Sequence, residues 1–275
     1  MNRKKIYLLT LSFYLLLSVH SFAADDNSIW SDIKSDAALS FNSGVGLIKS
    51  PFTASESDWL RILYAGAGTG TLFLIDPEIK DIAHSNRNKT NNWLFGTDAY
   101  INRYSVGFST YGMYVAGLIF RKPALRRTGL YAMESVIVAS SITAMLKIVF
   151  GRSRPYLNEG ATKFRVFDGN PERYRSLPSG HTTTAFALGT VLAKSIDNIW
   201  WKIFWYGGGA MVGFSRIYHD RHWLSDTALA GFIGYATADY FVNFDKRTTD
   251  NKEKLKEYSF QPYFSLNTVG MRVNF

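Results

Sequence analysis

The feature that most constrains the fold of this chain is a series of apolar segments rich in Gly and Ala. Short stretches that are charged or contain proline separate these segments from one another. The segments cover residues 59–75, 93–120, 128–150, 181–193, 200–215 and 223–242. Each is long enough for a packed helix, and breaks such as Asp76-Pro77 and Lys122-Pro123 are typical of helix ends. We therefore predict an all-α protein, a compact bundle of about six core helices.

The two ends of the chain differ from this apolar middle. Residues 25–58 are polar and predict irregular chain with one short helix, and residues 243–258 are highly charged. Residues 259–275 alternate apolar and polar side chains, which predicts a β-hairpin or an extended tail. The expected organisation is a polar segment at 25–58, a helical domain at 59–242, and a charged connector with a tail at 243–275.

Residues 1–24 have the composition of a secretory signal peptide. The segment has a positively charged start, an apolar middle and a small-x-small cleavage site (Arg3, Lys4 and Lys5; 6–19; Ser21 and Ala23). An uncleaved anchor helix is the alternative, although the apolar stretch is short for a bilayer. We expect an exported protein, periplasmic or membrane-associated, with its active site facing the periplasm. The chain has 0 Cys, which excludes disulfides and thiol chemistry.

The net charge favours an anionic partner. It is +9 for the whole chain, and removal of Arg3, Lys4 and Lys5 leaves about +6, which suits anionic substrates or lipid surfaces. The cations form no continuous stripe, so we expect no nucleic acid partner. Hydrophobic residues make up 47% of the chain, yet the mean hydropathy of −0.07 is low for a multi-span protein. Membrane association stays open beside the periplasmic helical bundle that we favour.

Residues with a chemical rather than a packing explanation concentrate in three clusters between positions 147 and 226. The clusters contain Lys147 and Arg154, then Ser179, Gly180 and His181, then Arg216, His222 and Asp226. Arginine offers a planar fork of donors that suits phosphate oxygens, and lysine adds a point charge. The second cluster begins a predicted helix, whose free N–H groups and positive dipole end favour an anion.

His222 and Asp226 are four residues apart, which on a helix places both on one face. The carboxylate can then hold one ring nitrogen and leave the other free as a nucleophile or base. Taken singly, each feature has an ordinary explanation: a surface cation, a turn before a helix, or a hydrogen bond on a helix surface. The combination of the three clusters favours a phosphate site.

The spacing Lys-x6-Arg-Pro, then Pro-Ser-Gly-His, then Ser-Arg-x5-His-x3-Asp resembles the tripartite signature of the type 2 phosphatidic acid phosphatase (PAP2) and vanadium haloperoxidase superfamily. All three parts match in order, within residues 140–240. The resemblance implies that His222 is the nucleophile, that Asp226 orients it, and that His181 protonates the leaving oxygen. The phosphate-binding groups that it implies are Lys147, Arg154, Arg216, Ser179 and the Gly180 backbone N–H. The signature does not require Arg152, His219 or Arg221, and we assign them no role.

The resemblance implies a phosphatase that hydrolyses a phosphomonoester or diphosphate through a phosphohistidine intermediate. The expected substrate is lipid-linked, of the phosphatidic acid, phosphatidylglycerophosphate, undecaprenyl diphosphate or lipid A type, and the sequence does not distinguish among these. The sequence contains no two-metal carboxylate cluster near the motifs, so we expect no metal or other cofactor, and vanadate would bind as a phosphate mimic. The alternatives are a non-specific periplasmic acid phosphatase acting on soluble esters, a vanadate-dependent haloperoxidase, and a catalytically silent envelope protein.

Overall fold

The structure is a computed structural model that describes residues 26–96, 103–167, 172–257, 259–265 and 268–274. The signal peptide predicted at 1–24 lies outside the described residues. The first five helices are α1 (Asp26–Thr53), α2 (Glu56–Leu72), α3 (Asp76–Ser85), α4 (Lys89–Phe95) and α5 (Arg103–Ile119). The remaining helices are α6 (Pro123–Phe150), α7 (Gly180–Ser195), α8 (Ile199–Tyr218) and α9 (Leu224–Glu257). Two strands follow, β1 (Ser259–Ser265) and β2 (Thr268–Asn274).

The predicted all-α bundle is confirmed, and the apolar segments form its helices. Helix α6 begins at Pro123, five positions before the predicted start at 128. The apolar segment predicted as a single helix at 93–120 is divided, because α4 already ends at Phe95 and α5 begins at Arg103. Helix α9 continues past position 242 to Glu257, through the charged stretch. The predicted hairpin is present, with β1 and β2 antiparallel and Phe260 opposite Val273.

The prediction of irregular chain at 25–58 is wrong, because α1 runs for 28 residues from Asp26 to Thr53. Polar contacts, rather than an apolar stripe, attach this helix to α5 and α6. Asp36 is buried, and Tyr114 donates a hydrogen bond of 3.1 Å to its Oδ2 atom. Arg126 forms an ion pair with Asp32 at 2.5 Å. Such long-range pairs leave no periodic apolar signal in the sequence, which is the signal that predicts a packed helix.

The centre of the bundle lies where α6, α7 and α9 meet. Two clusters of small and aliphatic side chains fill it, with Ala132, Val191, Ala238 and Val242 in one and Ala139, Ala187 and Ile233 in the other. Gly234 of α9 lies so close to α7 that an added Cβ would be 2.4 Å from the Thr183 carbonyl oxygen. Only glycine permits this approach, and the close packing fixes the two helices that carry the second and third clusters.

The three clusters of chemically distinctive residues lie at one end of this bundle. Helix α6 ends at Phe150, followed by Gly151 in the left-handed conformation (φ 57°). The loop from Gly151 to Leu177 follows, and its described part contains two short 3₁₀ turns, Pro155–Leu157 and Glu172–Tyr174. An added Cβ at Gly151 would lie 1.9 Å from the Arg165 carbonyl oxygen, so glycine is required where the loop begins.

Candidate active site

Four helix ends bring the predicted site residues together. Lys147 lies in the last turn of α6, and Gly180 and His181 lie in the first turn of α7. Arg216 lies in the last turn of α8, and Asp226 lies in the first turn of α9. The backbone joins the second and third clusters directly, because the Ser179 N–H donates to the Asp226 carbonyl oxygen at 3.1 Å.

His222 lies in the short turn between α8 and α9 and is 2% exposed. The turn is closed by the Arg216 carbonyl oxygen, which accepts hydrogen bonds from the N–H groups of Arg221 and His222 at 2.9 and 3.3 Å. The His222 Nδ1 atom lies 3.6 Å from the Asp226 Oδ2 atom, and within the described residues it has no hydrogen-bond partner. This distance is longer than a hydrogen bond, and such catalytic contacts often shorten only when substrate binds.

Three donors hold the Asp226 carboxylate, which is fully buried. Arg152 Nη1 donates to Oδ1 at 2.6 Å, and the Trp223 N–H donates to Oδ2 at 2.8 Å. The Ser176 hydroxyl donates a short hydrogen bond to the same Oδ2 atom. A carboxylate that accepts several such bonds is stabilised in its charged form, so Asp226 presents a fixed negative charge to His222.

The second cluster forms the N-terminus of α7. Ser179 is the N-cap residue and is fully buried, and its Oγ atom accepts a hydrogen bond of 2.9 Å from the Thr182 hydroxyl. Gly180 and His181, the first two residues of the helix, are partly exposed at the bundle end. The free N–H groups and the positive end of the dipole therefore lie beside the third cluster, where an anion would be stabilised.

The predicted phosphate-binding cations converge on the same place. Lys147 Nζ donates to the Arg175 carbonyl oxygen at 2.6 Å, and Lys147 Cε lies 4.0 Å from the position of a Cβ added to Gly180. Arg154 is buried and donates from Nε to the Glu172 carbonyl oxygen at 2.9 Å. Burial lowers the pKa of Arg154, and the positive charge of Arg216 acts in the same direction. Cations held this close together favour an anion between them.

The pKa of His222 lies well below the ordinary imidazole value of 6.5, chiefly because burial disfavours the charged ring. The charges of Lys147 and Arg154 lower this pKa as well, whereas the Asp226 carboxylate opposes them. The ring therefore stays neutral, and competent as a nucleophile, to a lower pH than an ordinary imidazole. It loses this competence only when the pH falls through the lowered pKa.

We expect the acid limb of the kcat/KM profile to lie below pH 6.5, the ordinary pKa of imidazole. The measurement is phosphate release between about pH 4 and 8 from two substrates whose phosphates ionise differently, since a monoester phosphate itself ionises near pH 6. A limb at or above pH 6.5 that is the same for both substrates would contradict the lowered pKa of His222.

Sequence reasoning missed several residues that surround Asp226. Arg152, to which it assigned no role, is fully buried and in contact with the carboxylate, and Ser176 and Ser225 belong to the same network. Asp76 was interpreted only as a helix stop, but it begins α3 and is buried against Arg152. The only available signal in the sequence was the additional arginine, Arg152, in Gly151-Arg152-Ser153-Arg154. That signal says nothing about which side chains Arg152 contacts.

The other two residues without an assigned role lie at the edge of the site. His219 is partly exposed, and its Nε2 atom lies 3.2 Å from the Phe95 carbonyl oxygen. Arg221 is exposed, with its guanidinium 5.8 Å from the centre of the Tyr156 ring. Across the described part of the chain, no group of three or more His, Cys, Asp or Glu side chains could hold a metal ion.

Comparison with known families agrees with the three motifs. Residues 128–250, which carry all three, match the model of the PAP2 superfamily. The resemblance recognised in the sequence is therefore confirmed for residues 128–250.

Individual relatives are similar over shorter stretches or at low identity. A lipid A 1-phosphatase of Porphyromonas gingivalis is 35% identical over 102 residues, which is 34% of this chain. The chain spans only 20% of the length of that curated relative. The crystal structure of Aquifex aeolicus LpxE covers 62% of this chain and 95% of its own, with 21% identity and a TM-score of 0.47.

One solved structure shares the fold of this chain. The transmembrane PAP2-type phosphatidylglycerolphosphate phosphatase of Bacillus subtilis covers 67% of this chain and 97% of its own. Its identity to this chain is 18% and its TM-score is 0.51. At this level of identity the likeness is one of fold.

Proposed function

We propose that this protein is a metal-independent phosphatase that removes a phosphoryl group from a lipid-linked substrate through a phosphohistidine intermediate on His222. One observation carries the proposal. A buried imidazole, that of His222, lies beside a carboxylate, Asp226, that is fixed on both of its oxygens, and burial together with the nearby cations Lys147 and Arg154 lowers the pKa of the ring. An oriented neutral nucleophile beside a positively charged pocket is what attack on a phosphate requires.

In the first step, the Nε2 lone pair of His222 attacks phosphorus and forms the N–P bond as the bond to the leaving oxygen breaks. His181 gives its proton to that oxygen, so the lipid leaves as an alcohol or a lower phosphate. Lys147, Arg154 and Arg216 bind the equatorial phosphate oxygens, together with the N–H groups at the start of α7. The Asp226 charge stabilises the His222 ring as it becomes cationic.

In the second step, His181 accepts a proton from water, and the resulting oxygen nucleophile attacks phosphorus. The N–P bond breaks, inorganic phosphate leaves, and His222 returns to its neutral form. The fixed cations neutralise the developing charge in both steps, which is the task that metal ions perform in other phosphatases. No metal ion is needed in this scheme.

The distribution of apolar side chains supports a substrate in a membrane. Helix α6 is 28 residues long and is the one described helix that is long and apolar enough to cross a bilayer. Only 17% of its apolar window is buried, whereas a core helix of a soluble protein would be mostly buried. Large side chains are exposed on other helices too, including Phe108, Trp200 and Phe204 at 64–74%. We therefore place the apolar sides of the bundle in lipid, with the site facing the periplasm.

A cavity beside the motif residues is suited to an apolar part of the substrate. It has a volume of about 160 Å³ and lies between α7, α8 and α9. Its lining includes Thr182, next to His181, and Leu224 and Thr227, on either side of the Asp226 region, together with Phe186 and Phe214. Apolar linings of this kind accommodate hydrocarbon.

The test is phosphate release by the purified protein in mixed micelles, with phosphatidic acid as the lipid and p-nitrophenyl phosphate as the soluble ester. We expect release to favour the lipid, and we expect EDTA to leave the rate unchanged within about twofold, since no step uses a metal. Loss of activity in EDTA that returns with Mg²⁺ would contradict the metal-independent mechanism.

The same assay separates the alternatives. Release from the soluble ester alone would favour a non-specific acid phosphatase and remove the lipid part of the proposal. Absence of release from both substrates would overturn the phosphatase proposal. Vanadate-dependent bromination would then be the next measurement, because vanadate fits a phosphate pocket built around a histidine.

A further inference from the structure

Arg152 is the largest fully buried side chain in the described part of the protein, and every nitrogen of its guanidinium has a partner. Nε donates to the Ala161 carbonyl oxygen at 2.8 Å. Nη1 donates to Asp226 Oδ1 at 2.6 Å and to Ser225 Oγ at 2.7 Å, and Nη2 donates to Asp76 Oδ2 at 2.7 Å. The guanidinium thus joins two buried carboxylates from distant parts of the chain.

Asp76 is held as tightly as Arg152. Its Oδ1 atom accepts the Ser225 N–H at 2.9 Å, and its Oδ2 atom accepts the Ser225 hydroxyl at 2.5 Å. Ser225 immediately precedes Asp226, so Asp76 fixes the backbone at the start of α9 as well as the Arg152 guanidinium. The ring of Phe73 covers the guanidinium, 4.0 Å from its central carbon, and helps to exclude water from the pair.

The charges of this network do not cancel. Arg152 is always protonated, and it lies between two carboxylates, Asp76 and Asp226. With Arg152 and Asp226 alone, the carboxylate beside His222 would be neutralised by its own ion pair. With Asp76 added, the group of three carries one unbalanced negative charge. That charge opposes Lys147 and Arg154, the cations that act on His222 from α6 and from the loop.

We propose that Asp76 and Arg152 are positioning residues that fix Asp226 against His222 and keep one net negative charge behind the imidazole. This role rests on the proposed function, because it supposes that His222 becomes cationic during the reaction. Arg152 sets where the carboxylate points, and Asp76 prevents Arg152 from cancelling its charge. Both act through Asp226, and neither touches the substrate.

A role in folding alone would give a different result from a role in positioning. Removal of one partner from a buried ion pair destabilises a protein whatever the role of the pair. Only the positioning role also changes the ionisation of His222 and the rate of the chemical step. The readouts are therefore kcat, KM and the acid limb of the pH profile, measured beside the melting temperature.

The central variant is Asp76→Asn, which keeps the shape of the side chain and removes its charge. We expect kcat to fall by about tenfold or more, with KM within about twofold, because the lost interaction strengthens in the transition state. The acid limb should move to lower pH, since loss of a negative charge makes protonation of His222 harder. The acid limbs of the variant and the wild type are measured with the same substrate, so that ionisation of the substrate contributes equally to both and the difference reports the enzyme.

The matched control is Asp36→Asn, which removes a carboxylate that is as buried as Asp76 and paired with Arg126 between α1 and α6. We expect it to lower the melting temperature and leave kcat and the acid limb at wild-type values. If Asp76→Asn behaves in the same way as this control, the positioning role is overturned.

Ser225→Ala tests the positioning role if Asp76→Asn does not fold. It removes the hydroxyl that joins Arg152 to Asp76 and retains all charges. We expect kcat to fall by a factor of a few, with the acid limb unchanged, and wild-type kcat would overturn the role. If the wild-type protein itself releases no phosphate, both the proposed function and this positioning role are overturned. If the wild-type protein is active and the variants retain its kcat and acid limb, only the positioning role is overturned.

Discussion

His222→Ala is expected to reduce phosphate release by at least about a thousandfold while the protein remains folded, since loss of an enzyme nucleophile can cost up to about a millionfold in kcat. In the proposed mechanism a ring nitrogen of His222 attacks phosphorus, and this variant has no substitute for it. The turn that carries position 222 should persist, because its hydrogen bonds to the Arg216 carbonyl oxygen come from backbone N–H groups. Among the described residues, no hydrogen bond to Nδ1 is lost.

Two measurements check this expectation. Phosphate release gives the rate, and a circular dichroism melt within a few degrees of wild type gives the fold. A rapid quench should also trap an acid-labile phosphoprotein in the wild type and none in His222→Ala. The control is His219→Ala in the same turn, which should retain turnover. Residual activity of His222→Ala near the wild-type value would discard the nucleophile assignment.

Arg216→Lys is expected to lower kcat by about a hundredfold, the loss that follows removal of one preorganised donor to transition-state charge. Lysine keeps the positive charge but replaces a planar fork of donors with a single point charge, so bidentate contact with two phosphate oxygens is lost. Arg216 occupies the last turn of α8, and its carbonyl oxygen closes the turn that carries His222.

The matched control is Arg221→Lys, the same substitution at an exposed arginine five residues away. Its guanidinium is exposed and lies beside the Tyr156 ring at the edge of the site, so we expect kcat within about threefold of wild type. Steady-state kinetics on the lipid substrate distinguish the two variants. A mild effect of Arg216→Lys, similar to that of Arg221→Lys, would place Arg216 outside the phosphate pocket.

The helices of the bundle were predictable because their signals are local. Apolar runs and their Pro, Gly or charged breaks depend on residues within a few positions of one another, and they gave α2, α6, α7 and α8 close to their observed bounds. Helix α1 was not predictable in this way. Its contacts to α5 and α6 are ion pairs and hydrogen bonds, such as Asp32 with Arg126, and these leave no periodic apolar pattern.

The site was predictable in part. The three motifs named His222, Asp226 and the cations, and the structure brings their helix ends together at one end of the bundle. The catalytic and phosphate-binding roles of these residues stay predictions that the experiments above test. The partners that hold Asp226 were not predictable, because Ser176 lies in an irregular loop and the Trp223 contribution is a backbone N–H.

The sequence by itself determined the helical bundle, the three motifs and the residues that carry the proposed chemistry, because apolar periodicity and motif spacing are properties of the linear chain. Only the tertiary structure decided that Arg152 and Asp76, 76 positions apart, share a buried ion pair behind Asp226. The reason is physical. An arginine in a polar loop and an aspartate at a helix start both have ordinary solvated explanations, and only burial converts them into an obligatory pair.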